Sequence, residues 1–312
     1  MQSTSRTIVL LGTGGTIAGT ARSADDEINY AAAQITLADL VATIPTLAHL
    51  PLECEQVAQI DSKDMSYAVW RTLAERVAHH LARGDVAGIV IAHGTDTLEE
   101  TAYFLQRVLA PSRPVVMCGA MRPATATQPD GPQNLLDAVT VAMDAGARGV
   151  VAVMAAEIHS ALDIRKTHTH RVDAFSSGDA GPLGKVQAGH VRSVRPWPDS
   201  QPLGVQRLAA TPWPRVEIIH SHAGADGRLV DALLAQGVDG IVVAGTGNGT
   251  LHAELAARLK HAQSAGVAVL RSTRVGAGSV LPRDDDQFPS AGTLTPVQAR
   301  IELMLQRLPP VK

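Results

Sequence analysis

The sequence predicts an α/β protein of two α/β domains with mostly parallel sheets, the N-terminal one larger than the C-terminal one. Two observations predict the class: short, β-branched apolar runs recur along the 312 residues, and stretches of helical periodicity separate them. A third predicts the division. Residues 191–215, "VRSVRPWPDSQPLGVQRLAATPWPR", hold five prolines and little periodicity, which reads as an interruption between domains. The expected boundaries are 1–190 for a first domain, 191–213 for a linker and 214–312 for a second domain.

The strand-length runs are Thr7–Leu11, Gly88–Ala92, Pro114–Cys118 and Gly149–Met154, followed by Val216–Ile219, Gly240–Ala244 and Val267–Leu270. Apolar runs of this length bounded by glycine suit strands covered on both faces. Thr97 and Glu100 have the spacing of a capping box opening a helix. Leu251, Leu255, Leu259 and Ala262 line one helical face, and Val297, Ile301, Met304, Leu305 and Leu308 line another.

Composition narrows the function classes. Lys and Arg total 27 against 30 Asp and Glu, a formal charge of −3, with no basic block of the kind that tracks nucleic acid or an anionic membrane. No apolar run approaches the roughly 20 residues that span a bilayer. The first strand-like run begins at residue 7 without a basic, apolar leader, so the expected location is the cytoplasm. Cys54 and Cys118 are far apart and lie in or beside apolar segments, which predicts two buried free thiols.

Residues 10–21, "LLGTGGTIAGTA", place four glycines and three threonines directly after the first apolar run. A dinucleotide fingerprint starting at Gly12 needs glycine where Ile17 stands, and a phosphate-binding Walker loop needs lysine where Thr20 follows Gly19. Both phosphate readings fail. What remains is a tight turn that presents Thr16 at the carboxyl end of a strand, where open α/β sheets bind ligands. A second segment, "IVIAHGTDTLEETAYF", repeats the design with Gly94, Thr95 and Asp96. A threonine oxygen can attack a carbonyl once a base removes its proton. Asp96 can grip a substrate ammonium group or cap the following helix. The third segment is "DIRKTHTHRVDAFSS". Lysines held among other cations give up protons more readily, so Lys166, beside Arg165, is a candidate base. His159, His168 and His170 lack the spacing and companions of a metal site; no metal is expected.

Together "TGGTIAG" and "HGTDTLEETAYF", in that order, resemble the two signature motifs of the bacterial L-asparaginase (asparaginase/glutaminase, type II-like) family. "GAMRP", "DGPQNLLDAV", "GPLG", "GNGT" and "SAGTLTP" also fall where that family has similar segments. The resemblance implies hydrolysis of the side-chain amide of L-asparagine to L-aspartate and ammonia, with minor action on glutamine and no cofactor. It implies that Thr16, assisted by Tyr30, attacks the amide carbon. Thr95, Asp96 and Lys166 form the second set, in which Thr95 activates water or attacks, Lys166 takes its proton and Asp96 holds the substrate amino group. Ser62 is similar to the serine that binds the α-carboxylate. Lys63 stands where many relatives carry Gln or Glu at the substrate, and residues 17–34 correspond to a lid. The resemblance further implies a homotetramer of two intimate dimers, in which Asn248 and one of Asp284, Asp285 and Asp286 complete a neighbour's site. The readings weighed against it are a non-catalytic amino-acid binding protein and the amidase subunit of an amidotransferase.

Overall fold

The computed structural model describes residues 6–26 and 28–310. They divide into two compact units between Val205 and Gln206. The first contains β1 (Thr7–Gly14), β2 (Thr20–Ala21), β3 (Tyr30–Ala31), α1 (Leu37–Ala42), β4 (Leu52–Ile60), α2 (Tyr67–Leu81), β5 (Val86–Ala92) and α3 (Leu98–Leu109). It continues through β6 (Pro114–Cys118), α4 (Gly131–Met143), β7 (Gly149–Met154), β8 (Glu157–Ser160), β9 (Arg165–Lys166), β10 (Phe175–Ser176), β11 (Gly184–Gln187) and β12 (His190–Ser193).

Eight of these strands form one sheet in the order β12-β11-β8-β7-β6-β5-β1-β4. The five from β7 to β4 run parallel, and β8, β11 and β12 extend the sheet antiparallel. Ile8, Leu10, Val90, Val116 and Val151 are buried in one cluster with Leu37 and Leu40 of α1 and Leu135, Ala138 and Val139 of α4. The alternate residues Val9, Leu11, Ile89 and Ile91 are equally buried, because successive strand side chains point to opposite faces. On α2 and α3, Trp70 stacks on Phe104 with ring centroids 4.9 Å apart.

This strand order positions the site. The chain adds β4 on one side of β1 and then crosses to add β5 on the other, so the direction of winding reverses at β1. The carboxyl ends of β1 and β5 therefore flank the crevice that open α/β sheets use for ligands.

The second unit contains β13 (Val216–His220), α5 (Arg228–Ala235), β14 (Gly240–Gly245), α6 (Ala253–Ser264), β15 (Ala268–Thr273) and α7 (Pro296–Arg307). Its three strands are parallel in sequence order. Ile241 and Val243 cluster with Val230 of α5 and Leu255 and Leu259 of α6. A methyl group on Gly240 would lie 2.9 Å from Leu303 of α7, so the small residue lets that helix sit close.

Several expectations are corrected. Thr97 caps nothing; its hydroxyl donates instead to the Ser62 carbonyl at 2.8 Å. Cys54 is an exposed free thiol on the edge strand β4, while Cys118 is buried. Ile17 and Ala18 are 1% and 4% exposed and belong to the core, so a lid could begin only beyond Gly19. Glu27, inside that lid, lies outside the described residues. The stretch read as a linker starts inside β12, which pairs with β11. Prolines cluster only after that pairing ends. Among the described residues no helix is long and apolar enough to cross a membrane.

Candidate active site

Three loops, following β1, β4 and β5, converge where the winding reverses. Gly14 and Gly15 have φ of 100° and 87°, a conformation that side chains with a Cβ rarely tolerate. A methyl on Gly15 would lie 2.2 Å from Gly94 Cα, and one on Gly94 would lie 2.5 Å from Ser62 Oγ. Backbone therefore packs on backbone, and Thr16 and Thr95 each follow one of the two touching glycines. Thr13 Oγ1 donates to Ala92 O at 3.1 Å and joins the same two strand ends.

Thr16 is 7% exposed, and its hydroxyl lies 2.7 Å from the Tyr30 hydroxyl. Tyr30 is on β3, which pairs only with β2. Between these two short strands the chain is mostly exposed, with Ile28 76% exposed. The backbone bond from Thr127 N to Ala24 O attaches it to the loop after β6, and Ala124 N to Gly19 O attaches the residue just before β2. That loop is fixed in turn by Asp130, whose carboxylate accepts from Met121 N and Arg122 N. The segments "GAMRP" and "DGPQNLLDAV" thus serve each other as donor and acceptor.

Thr95 is 4% exposed. Lys166 Nζ donates to Thr95 Oγ1 at 3.0 Å and to Asp96 Oδ1 at 2.7 Å. The charge that Lys166 touches is thus a carboxylate, not the cation that sequence reasoning placed beside it. The Asp96 side chain is 55% exposed, so a ligand can reach the carboxylate from solvent. Ser62, 3% exposed, accepts from Asp96 N at 3.2 Å, which ties the loop after β4 to the Thr95 loop.

Beneath Thr95 runs a buried polar chain. Gly94 O can only accept, so His93 Nδ1, 2.7 Å away, carries the proton. Burial pushes His93 down to about 4, so the ring is neutral near pH 7 and its Nε2 is an acceptor. Thr101 donates to Nε2 at 3.0 Å and receives from Trp70 Nε1 at 2.9 Å. Every polar atom of the chain is satisfied, and it fixes the peptide that precedes Thr95. Sequence reasoning missed this chain; the only signal was a histidine inside an apolar strand end.

It also missed Glu99. In the first turn of α3, this half-buried carboxylate accepts from Lys166 N at 2.6 Å. Burial pushes it up to about 7, outweighing the hydrogen bond and the favourable helix N-terminus.

The remaining predicted residues bond within their own units or stand exposed. Lys63 is 61% exposed, with Nζ 2.5 Å from Asp61 and 3.5 Å from Asp64. Asn248 belongs to the second unit, where its amide donates to Leu281 O and accepts from Leu281 N. Asp286 pairs with the buried Arg271, and Asp285 pairs with Arg283 at 2.7 Å. Asp284 is exposed. His159 is buried, its Nδ1 2.9 Å from Ser177 Oγ, and burial pushes it down to about 4. His168 Nδ1 accepts from the backbone of His170 and Arg171. Among the described residues no group of three His, Cys, Asp or Glu is placed to hold a metal.

Comparison with known proteins gives a concordant result in both units. Residues 7–198 match the family model "Asparaginase, N-terminal", and residues 215–306 match "Glutaminase/Asparaginase C-terminal domain". The chain is 40% identical over 310 residues to L-asparaginase 2 of Escherichia coli K12, covering 96% of this chain and 88% of that one. It is 38% identical over 312 residues to glutaminase-asparaginase of Pseudomonas fluorescens biotype A, covering 96% and 85%. A crystal structure of a probable cytoplasmic L-asparaginase from Campylobacter jejuni matches with a TM-score of 0.92 at 39% identity, covering 96% of this chain and 94% of that one. The loops that meet at Gly15 and Gly94 therefore belong to a member of the asparaginase/glutaminase family.

Proposed function

We propose that the protein hydrolyses the side-chain amide of L-asparagine to L-aspartate and ammonia, with minor action on L-glutamine. The observation that carries this reading is the pairing of two buried threonine hydroxyls, one bonded to Tyr30 and one to Lys166, on loops in backbone contact. A protein that only binds an amino acid has no use for both hydroxyls and a lysine. The names of the relatives support the substrate and its glutamine homologue.

The substrate ammonium binds Asp96 and displaces Lys166 from it, and the α-carboxylate binds at Ser62. Thr16 Oγ attacks the amide carbon, and its proton passes along the Tyr30 hydroxyl to the leaving nitrogen. Ammonia departs and a β-aspartyl ester remains on Thr16. Backbone N–H groups of the glycine-rich loops are suited to the oxyanion formed in both steps. Water then attacks the ester and gives a proton to Thr95, which passes its own to Lys166, the base in this reading. That proton returns to Thr16 Oγ as the ester bond breaks. Residues 20–31 act as the lid that excludes water during the first step.

Lys63 tunes the preference between the two amides. The working form is a homotetramer of two intimate dimers, in which Asn248 and one of Asp284, Asp285 and Asp286 complete a neighbour's site. The location is the cytoplasm, supported by two free cysteines and by the name of the Campylobacter jejuni relative. The test is ammonia release from L-asparagine and L-glutamine by wild type beside Thr16→Val. Release that vanishes in the variant supports the reading, and no release by wild type overturns it.

A further inference from the structure

We infer that Glu99 is a positioning residue for Lys166: its carboxylate anchors the lysine backbone so that Nζ falls between Thr95 and Asp96. The inference rests on the reading of Lys166 as the base.

Lys166 sits on a two-residue strand whose partner, β10, is equally short. So short a ladder fixes position weakly. Three further bonds hold the lysine, and all come from one stretch of five residues. Thr95 and Asp96 take its tip, and Glu99, three positions on and at the start of α3, takes its backbone N–H at 2.6 Å. The helix behind Glu99 is buried through Leu98, Ala102, Phe104 and Leu105, so the anchor is rigid where the anchored strand is not. Two separate grips from one rigid element fix both ends of a long side chain and remove most of its rotamer freedom.

The charged groups acting on Glu99 are Glu100 from its own helix, which opposes ionisation, and Arg165 and Lys166 from β9, which favour it. Burial is the largest influence, and the group gains its charge near pH 7. A charged acceptor holds the lysine N–H more tightly than a neutral one.

The experiment compares Glu99→Leu and Glu99→Gln with wild type, by steady-state kinetics on L-asparagine across pH and by crystal structures of both variants. Glu99→Leu removes the acceptor. Its kcat falls by about 10²-fold while KM changes little, since Asp96 and Ser62 are intact, and Nζ moves away from Thr95. Glu99→Gln keeps an acceptor without the charge; its kcat stays within about threefold of wild type and the inflection near pH 7 disappears. A Glu99→Leu enzyme with unchanged kcat, or with Nζ still 3.0 Å from Thr95 Oγ1, overturns the inference. A merely structural role lowers the unfolding temperature of both variants and leaves the pH profile of the folded enzyme as it was, which also overturns it. If wild type releases no ammonia, the proposed reaction fails, and the crystal structures still decide whether Glu99 sets the lysine.

Discussion

The two threonine loops are built alike and held differently. Thr95 sits on a strand end above the His93, Thr101 and Trp70 chain, bonded to a lysine that is itself held at both ends. Thr16 also sits on a strand end, but its partner Tyr30 hangs on a two-residue ladder in a mostly exposed segment. Segments with few buried contacts open most easily. In the proposed mechanism the comparison teaches a division of labour, in which one half of the site stays assembled and the other closes over the substrate.

The largest expected effect tests the closing half. Thr16→Val lowers turnover of L-asparagine by about 10³-fold or more, while the unfolding temperature stays near that of wild type. Lys166→Met then tests the assembled half: it releases one ammonia per site in a rapid burst and stalls, because only the water step needs the base. A steady rate equal to wild type removes Lys166 from the chemistry. Asp96→Asn comes next. Loss of a charge-assisted partner for the substrate ammonium, worth about 1.5–3 kcal/mol, raises KM by about 10- to 10²-fold. Unchanged saturation would return Asp96 to the role of a helix-start residue.

Two smaller effects concern stability. Gly15→Ala forces a methyl against Gly94 at a left-handed φ and destabilises by about 2–3 kcal/mol. Gly84→Ala, with nothing within 4 Å, is the control and changes little. Acid sensitivity probes the Thr95 half, which holds both shifted groups. His93 is held near 4 against an ordinary 6.5, so the unfolded chain binds the extra proton first. Its contribution is complete above about pH 6.5 and is lost as pH falls toward 4. Glu99, raised to about 7, acts oppositely: its folded form binds the proton more tightly, so stability from this group falls as pH rises from about 4.5 to 7. Denaturant midpoints across pH 4–8 should lose their acid slope in part when His93 is replaced by Gln, and Glu99→Gln should remove the opposing slope.

The strands that carry the site were legible because they are buried on both faces and so read as continuous apolar runs. β4 was not. As an edge strand it alternates exposed and half-buried residues, "LECEQVAQI", and nothing in that pattern demands a sheet. Its omission hid the reason Ser62 reaches Asp96. Thr97 and Glu100 had the spacing of a capping box, yet a tertiary acceptor, the Ser62 carbonyl, took the hydroxyl. Glu99 carries no local signal at all, because its partner lies 67 residues away. The loops and their threonines were legible for the opposite reason: glycine at positive φ and backbone in contact leave their mark in the sequence itself.

The most direct test of the divided site is to quench Thr95→Val during reaction with L-asparagine and locate the trapped acyl group by peptide mass spectrometry. The account predicts a β-aspartyl group on the peptide that carries Thr16, and none in Thr16→Val. A β-aspartyl group on the peptide that carries Thr95 in Thr16→Val would contradict it.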